Sequence, residues 1–248
     1  MSGSENKREQ FPAIMQNNYI YLDSAATTQK PSCVIDSITG LYRTDSSNIH
    51  RGAHRLSQQM TQRYENARAD AAAFIGAEND EVIFTHGATD GINLVARGLE
   101  RQIGHGDIIA VTVMEHNSNF LPWQQLCQRT GAELSVIPVD RTGELSAETC
   151  KRFLTDRTKL LALSHIYNTT GCKNPVEDIT ALAACRGVLT LVDAAQSVAH
   201  TPINVKALGC DYLVFSGHKA YGPAGIGILY GKREALQTLD TPDSGAAW

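Results

Sequence analysis

Seven short apolar runs separated by longer amphipathic segments occupy residues 81 to 231, and this alternation constrains the fold more than any other feature. Strands that alternate with helices predict an α/β fold with a mostly parallel sheet covered by helices on both faces. The last two runs are joined by a short Gly/Pro-containing loop, so we expect that pair to be antiparallel. The runs are EVIFT (81–85), DIIAVTV (107–113), AELSVIPV (132–139), KLLALSH (159–165), VLTLVD (188–193), DYLVFS (211–216) and GIGILYG (225–231).

The region before the first strand is predicted to be helical. Residues 31–44 predict a helix that opens with Pro31, and residues 56–76 have helical periodicity with a glycine at the end. Residues 1–18 are polar and predict an N-terminal arm with a short helix.

Composition excludes several classes of function. The net charge of the 248-residue chain is −4, which favours neither nucleic acid nor an anionic membrane as a partner. The first ten residues lack the apolar core of a signal peptide, and no apolar run is long enough to cross a bilayer. The six cysteines form no C-x-x-C pair, which predicts reduced thiols in a cytoplasmic protein without a structural metal.

In open α/β sheets, ligands bind beyond the carboxyl ends of the parallel strands, so the residues after each strand are the candidates for chemistry. Gly87-Ala88-Thr89 opens a helix, which suits an anion, although Thr89 could equally be a plain N-cap. His116 follows the second strand, where a lone histidine is more often structural. Asn168 follows the fourth strand and could bind a ligand or hold a turn.

Two further strand ends carry charged groups. Asp193 ends an apolar strand, where a carboxylate is costly unless a cation meets it, or unless it caps the next helix. Ser216, His218 and Lys219 follow the sixth strand. A lysine that enters a pocket is costly unless it is used covalently, and the alternative is a surface lysine at a turn.

Together these residues match the needs of one cofactor. Pyridoxal phosphate needs a lysine for its Schiff base, a carboxylate for its pyridine nitrogen, an anion cradle for its phosphate and a flat group against its ring. Lys219, Asp193, the helix start at 87–89 and His116 supply one each.

The chain closely resembles the class V aminotransferase family, and within it the group II cysteine desulfurases, also called selenocysteine lyases. The resemblance implies the large domain of a fold-type I PLP-dependent transferase: an arm (1–18), a PLP-binding large domain (19–239) and a tail (240–248) unlike the family. The matching stretches, between about residues 11 and 236, are YLDSAATTQKP, NIHRGAHRLSQQMTQRYENAR, VIFTHGATDGINLVA, EHNSNFLPWQ, NTTGCKNPV, LVDAAQSVAH and DYLVFSGHKAYGPAGIGILYG.

The resemblance implies roles for the residues around the cofactor ring. Lys219 looks like the lysine that binds the cofactor and later removes the substrate α-proton. Asp193 looks like the partner of the pyridine nitrogen, and Gln196 like a donor to the ring hydroxyl. His116 looks like the stacking histidine and, with Lys219, a catalytic residue.

The resemblance also implies phosphate and substrate contacts. Thr89, Ser216 and His218 look like phosphate ligands, with Ala88 where relatives often carry threonine. Asn168 looks like a contact to substrate or cofactor.

His50 and Arg51 resemble residues that line the substrate entrance. The expected partners are L-cysteine or a related amino acid, a sulfur-acceptor protein and a second copy of the chain in a homodimer.

Family members continue past GILYGK into a small C-terminal domain, which carries the cysteine that accepts sulfur. We expect that domain to be absent here, and none of the six cysteines matches that position. The expectation is therefore a truncated, impaired cysteine desulfurase. The alternatives are a non-catalytic remnant or binding partner, and another class V enzyme such as an aminotransferase or epimerase.

Overall fold

A computed structural model describes residues 7–17 and 20–240 of the chain, and a seven-stranded sheet forms its centre. Each strand lies where the sequence predicts one. The strands are β1 (Val82–Thr85), β2 (Ile108–Thr112), β3 (Glu133–Ile137), β4 (Thr158–Ser164), β5 (Leu189–Asp193), β6 (Tyr212–Ser216) and β7 (Gly227–Gly231).

The sheet is mixed, with the order β1-β7-β6-β5-β4-β2-β3. Strands β3, β2, β4, β5 and β6 pair in parallel, whereas β7 lies antiparallel to both of its neighbours, β6 and β1. The predictions of a mostly parallel sheet and of an antiparallel last pair are confirmed. The parallel strands therefore end at the same edge of the sheet.

The helices flank the sheet, and two short ones near the end, α8 and α9, were not predicted. Pro31 is the N-cap of α2 and not its first residue, which corrects the predicted start by one residue. None of the helices among residues 7–17 and 20–240 is long and apolar enough to span a bilayer. The α-helices are α1 (Pro12–Gln16), α2 (Ser32–Gly40), α3 (Arg55–Ile75), α4 (Ala88–Gly98), α5 (Leu121–Thr130), α6 (Ala147–Phe153), α7 (Val176–Ala184), α8 (Val205–Leu208) and α9 (Arg233–Thr238).

Successive side chains of the strands pack alternately into two separate hydrophobic cores, one on each face of the sheet. On β4, Leu161 packs into the core that contains Ile179 of α7, and Leu160 packs into the core that contains Trp123 of α5. Full burial of a leucine contributes about 1.5–3 kcal/mol. The prediction that helices cover both faces is confirmed.

Helix α4 starts unusually close to strand β7. A Cβ atom on Gly227 would lie 2.5 Å from the Cα atom of Gly87, so the two backbones can approach only because residue 227 has no side chain. Gly87 itself has φ +154°, a conformation that L-residues rarely adopt. This contact fixes the start of α4 against the edge of the sheet where the parallel strands end.

Candidate active site

A cavity of about 510 Å³ lies at the carboxyl edge of the parallel strands, within the size range of small-molecule sites. Nine of the eleven residues predicted for the site line it. They are Ala88, Thr89, His116, Asn168, Asp193, Gln196, Ser216, His218 and Lys219.

Asp193 is the last residue of β5 and is buried, with 7% of its surface exposed. Burial raises the pKa of its carboxyl above the ordinary value, and the nearby charges of Lys219 and His116 lower it in part. The amide of Ala195 donates to Oδ1 at 2.9 Å. In the described part of the chain no side chain donates to Oδ2, so this carboxylate can receive a cationic or N–H group of a ligand.

The start of α4 and the end of β6 also meet at the cavity. The amide of Ala88 donates to the Ser216 hydroxyl at 2.8 Å, and both residues line the cavity. Free amides at a helix N-terminus favour anions, and a serine hydroxyl can add a donor. The geometry therefore suits a phosphate or carboxylate at this point of the cavity.

His116 holds its place through Ser118, which the sequence reasoning did not single out. Nδ1 of His116 lies 3.0 Å from the Ser118 hydroxyl and accepts from the Ser118 amide at 3.1 Å. The hydroxyl of Thr89 donates to Ser118 at 2.8 Å. His116 is therefore both an N-cap and a cavity residue, so its structural and functional interpretations are compatible.

Lys219 closes a tight turn, Gly217–Lys219, that follows β6. The amides of Ala220 and Gly222 both donate to the Gly217 carbonyl, at 2.9 and 2.8 Å. Tyr221 adopts φ +63°, a left-handed conformation that is strained for a residue with a side chain. The backbone around Lys219 is thus held in a specific shape.

Asn168 and Gln196 both line the cavity, Asn168 from a turn and Gln196 from a position that also contacts the N-terminal segment. The turn that contains Asn168 is closed by the Gly171 amide, which donates to the Tyr167 carbonyl at 2.9 Å. Nε2 of Gln196 donates to the Ala25 carbonyl at 2.9 Å. The second N–H of the Gln196 amide remains available for a ligand.

Glu115 lies behind the cavity and was not predicted as part of the site. Its carboxylate accepts four hydrogen bonds, from Thr112, Asn119, and the amide and hydroxyl of Ser164, at 2.6–2.9 Å. The residue as a whole is only partly buried, but burial of its carboxyl group raises the pKa to about 7. Because His116 is the next residue, this network braces the loop that carries it.

His50 and Arg51 do not line the cavity. Nε2 of His50 lies 3.6 Å from the Glu65 carboxylate, and its ring meets the edge of Tyr64. His54, which shares an i, i+4 spacing with His50, caps α3 by accepting from the Ser57 amide. Within the described ranges no three His, Cys, Asp or Glu residues cluster as metal ligands do. The role of His50 and Arg51 at a substrate entrance stays a prediction.

Seven further residues line the cavity that sequence reasoning did not assign. A signal for some existed, since Asp23, Ala25 and Ala26 lie in the quoted stretch YLDSAATTQKP. Ser118 follows His116 by two residues, the spacing at which a capping histidine meets a hydroxyl. The seven are Asp23, Ala25, Ala26, Ser118, Ser164, Ile166 and Ala195.

An α/β sheet that brings a lysine, a buried carboxylate and a helix N-terminus to one cavity is the arrangement of a PLP-binding domain. Comparison with known families agrees with this class. The aminotransferase class-V family model matches residues 20–247. The chain belongs to this family.

Several proteins that are similar to this chain are named cysteine desulfurases. The cysteine desulfurase of Cronobacter sakazakii is 46% identical over 97% of this chain and 61% of its own length. The solved apo cysteine desulfurase of Thermococcus onnurineus is 39% identical with a TM-score of 0.94, over 99% of this chain and 61% of that one. A variant of the protein C-DES, with glycine covalently linked to its PLP cofactor, is 28% identical with a TM-score of 0.85, over 94% and 61%. The chain thus spans about three-fifths of the length of these relatives.

Proposed function

We propose that this chain forms the cofactor domain of a PLP-dependent cysteine desulfurase, which converts L-cysteine to L-alanine and passes the sulfur to a thiol. The observation that carries the proposal is the cavity that joins Lys219, the buried carboxylate of Asp193 and the start of α4. The name of the curated relative from Cronobacter sakazakii, a cysteine desulfurase, supports L-cysteine as the substrate.

The residues of the cavity fit pyridoxal phosphate. The burial of Asp193, with no side chain among the described residues donating to Oδ2, suits a carboxylate that meets a protonated ring nitrogen, because such a cation would offset the cost of burial. Ser216 and the α4 amides suit the phosphate, and the His116 imidazole supplies a flat face. When bound, the cofactor supplies an electron sink for the negative charge that develops on the substrate Cα.

The side chains of this chain would then bind, orient and move protons. Asp193 would hold a proton on the ring nitrogen, because a buried carboxylate is stabilised by a cation beside it. Lys219 would hold the cofactor through Nζ and, once displaced by substrate, take the proton from Cα as general base. His116, fixed through Ser118, would offer the face of its imidazole to the ring.

Transfer of sulfur needs a thiolate that attacks the substrate sulfur, so that the Cβ–S bond breaks and a persulfide forms. The six cysteines are free thiols, and none of them lines the cavity within the described residues. Burial raises the pKa of Cys127 to about 11 and those of Cys150 and Cys210 to about 12, so these three remain protonated. We therefore propose that the chain alone binds cofactor and substrate but turns over cysteine weakly or not at all.

The proposal extends to partners and place. A second copy of the chain in a homodimer and a sulfur-acceptor protein for iron–sulfur cluster assembly would complete the reaction. Free thiols are typical of the reducing cytoplasm, which is where we place the protein.

The test is the visible absorption spectrum of purified chain titrated with pyridoxal phosphate. We expect a saturable band in the wild type and none in Lys219→Ala, with the exposed-lysine variant Lys206→Ala as a matched control that keeps the band. A band that survives in Lys219→Ala would refute the assignment of the cofactor lysine. Folded protein with no band in any variant would favour a non-catalytic domain. Release of sulfide and alanine from cysteine at the rate of full-length relatives would overturn the expected impairment.

A further inference from the structure

Thr28 holds the turn that contains Lys219 from both sides. It is buried, with 5% of its surface exposed, although the residues before it, 22–27, are exposed. Its hydroxyl donates to the His218 carbonyl at 2.9 Å and accepts from the Tyr221 amide at 2.8 Å. Its own amide also donates to the His218 carbonyl, at 2.9 Å. One side chain, 190 residues away in sequence, thus binds the residue before Lys219 and the second residue after it.

The contact to Tyr221 stabilises a strained conformation. Tyr221 has φ +63°, which costs free energy for a residue with a Cβ atom and persists only where the surroundings hold it. The hydrogen bonds within the turn come from Ala220 and Gly222, and neither involves the Tyr221 amide. The Tyr221 amide instead donates to the Thr28 hydroxyl.

The Thr28 hydroxyl also accepts a long hydrogen bond from Lys30 Nζ at 3.5 Å, and its contacts to His218 and Tyr221 differ in how easily they are replaced. The His218 carbonyl also accepts from the Thr27 hydroxyl at 3.1 Å and from Lys30 Nζ at 3.0 Å, so its side of the turn has other anchors. The Tyr221 amide requires an acceptor, which neither an ammonium group nor a valine side chain can supply. Loss of the hydroxyl therefore acts on the Tyr221 side.

We propose that Thr28 is a positioning residue for Lys219: by accepting from Tyr221 and donating to His218, it sets the backbone from which Lys219 reaches the cavity. This inference rests on the proposed role of Lys219 in binding pyridoxal phosphate. Thr28 lies outside the cavity lining and does not touch the reacting groups.

The experiment compares Thr28→Val, which keeps the shape but removes the hydroxyl, with Thr28→Ser, which restores the hydroxyl. The matched control is Thr180→Val, which removes a similarly buried hydroxyl that donates to the Val176, Glu177 and Leu208 carbonyls, none of which belongs to the turn. The first readout needs no cofactor: hydrogen exchange of the peptide that spans residues 217–222. We expect Thr28→Val to speed exchange there about tenfold, and Thr28→Ser and Thr180→Val to leave it near the wild-type rate.

The second readout is the titration with pyridoxal phosphate, followed by absorbance against pH. We expect Thr28→Val to weaken cofactor binding about tenfold, the effect of one lost hydrogen bond, and to shift the pH at which the absorption band titrates. We expect Thr28→Ser to restore both values. Equal exchange and equal titration in Thr28→Val and Thr180→Val would overturn the proposal. If wild type shows no Lys219-dependent band, the proposed function fails, and the exchange experiment still decides whether Thr28 holds the turn.

Discussion

Substitution of Glu115 by glutamine tests whether burial or hydrogen bonding has the larger effect on the pKa of the carboxyl group behind the cavity. Every partner of this carboxylate donates a hydrogen bond to it. The NH₂ group of glutamine must therefore face one of these donors and leave it without an acceptor. If NH₂ replaces Oε1 it meets the Ser164 amide, and if it replaces Oε2 it meets the Asn119 amide. Asn119 cannot reverse its amide without loss of the bond from Trp123 to its Oδ1.

The loss of stability caused by Glu115→Gln depends on pH, and the direction of that dependence follows from the pKa of Glu115. A buried donor without an acceptor costs about 1–3 kcal/mol, so we expect the variant to lose about 2 kcal/mol near pH 5. The folded-state pKa is raised from 4.5 to about 7, so the folded protein binds a proton between these values that the unfolded chain has released. The contribution of Glu115 to stability therefore falls as pH rises through this window, by up to about 3 kcal/mol. Glutamine does not titrate, so the cost of the substitution should shrink as pH rises and reach zero or slightly reverse by pH 8.

The assay is urea unfolding at pH 5, 6, 7 and 8, with Glu133→Gln as the matched control. Glu133 is an exposed glutamate at the edge of the sheet, paired with Arg157, and its substitution is expected to change stability by less than about 1 kcal/mol at every pH. A cost of Glu115→Gln that grows from pH 5 to pH 8 would refute the reasoning. It would mean that the four hydrogen bonds outweigh burial and that the carboxylate is charged throughout.

Two further predictions concern the frame of the site. Gly227→Ala places a methyl group against the Gly87 backbone, so we expect it to lower stability by about 1–3 kcal/mol or more and to weaken cofactor binding. The control Gly104→Ala has open space around it and should change neither. Thermal unfolding and cofactor titration measure both effects, and an unchanged melting temperature in Gly227→Ala would contradict the prediction. His165→Leu is expected to raise stability below pH 6.5, because burial lowers the histidine pKa and its ring nitrogens have no partner among the described residues; unfolding at pH 5 and 8 measures this, and an equal effect at both contradicts it.

The strands and the grouping of the site were predictable because both follow from local pattern. Short apolar runs mark buried strands, and parallel strands end at one edge, so Lys219, Asp193 and His116 had to lie near one another. The short helices α8 and α9 were missed because four to six residues carry too little periodicity to be recognised.

The contacts of the N-terminal segment could not be predicted in the same way. Thr28 contacts His218 and Tyr221, which lie 190 and 193 residues away in sequence, and no sequence pattern predicts that contact. In the sequence, Glu115 resembles any polar residue that follows a strand. Only the pairing of β2 with β4 in the structure shows that its carboxylate is enclosed. Long-range polar contacts of this kind decide the shape of the site but leave no periodic signal.

Glu115 and His165 act on the same strand end with opposite dependence on pH. The Ser164 amide and hydroxyl bind the Glu115 carboxylate, and His165 is the next residue. A raised carboxyl pKa makes the folded protein lose stability as pH rises through 4.5–7, whereas a lowered histidine pKa makes it gain stability as pH rises towards 6.5. The two slopes oppose each other where the windows overlap, so each group partly cancels the pH dependence of the other in the wild type. Each single variant should then expose the slope of the remaining group, downward with pH in His165→Leu and upward in Glu115→Gln, and the double variant should lose both slopes.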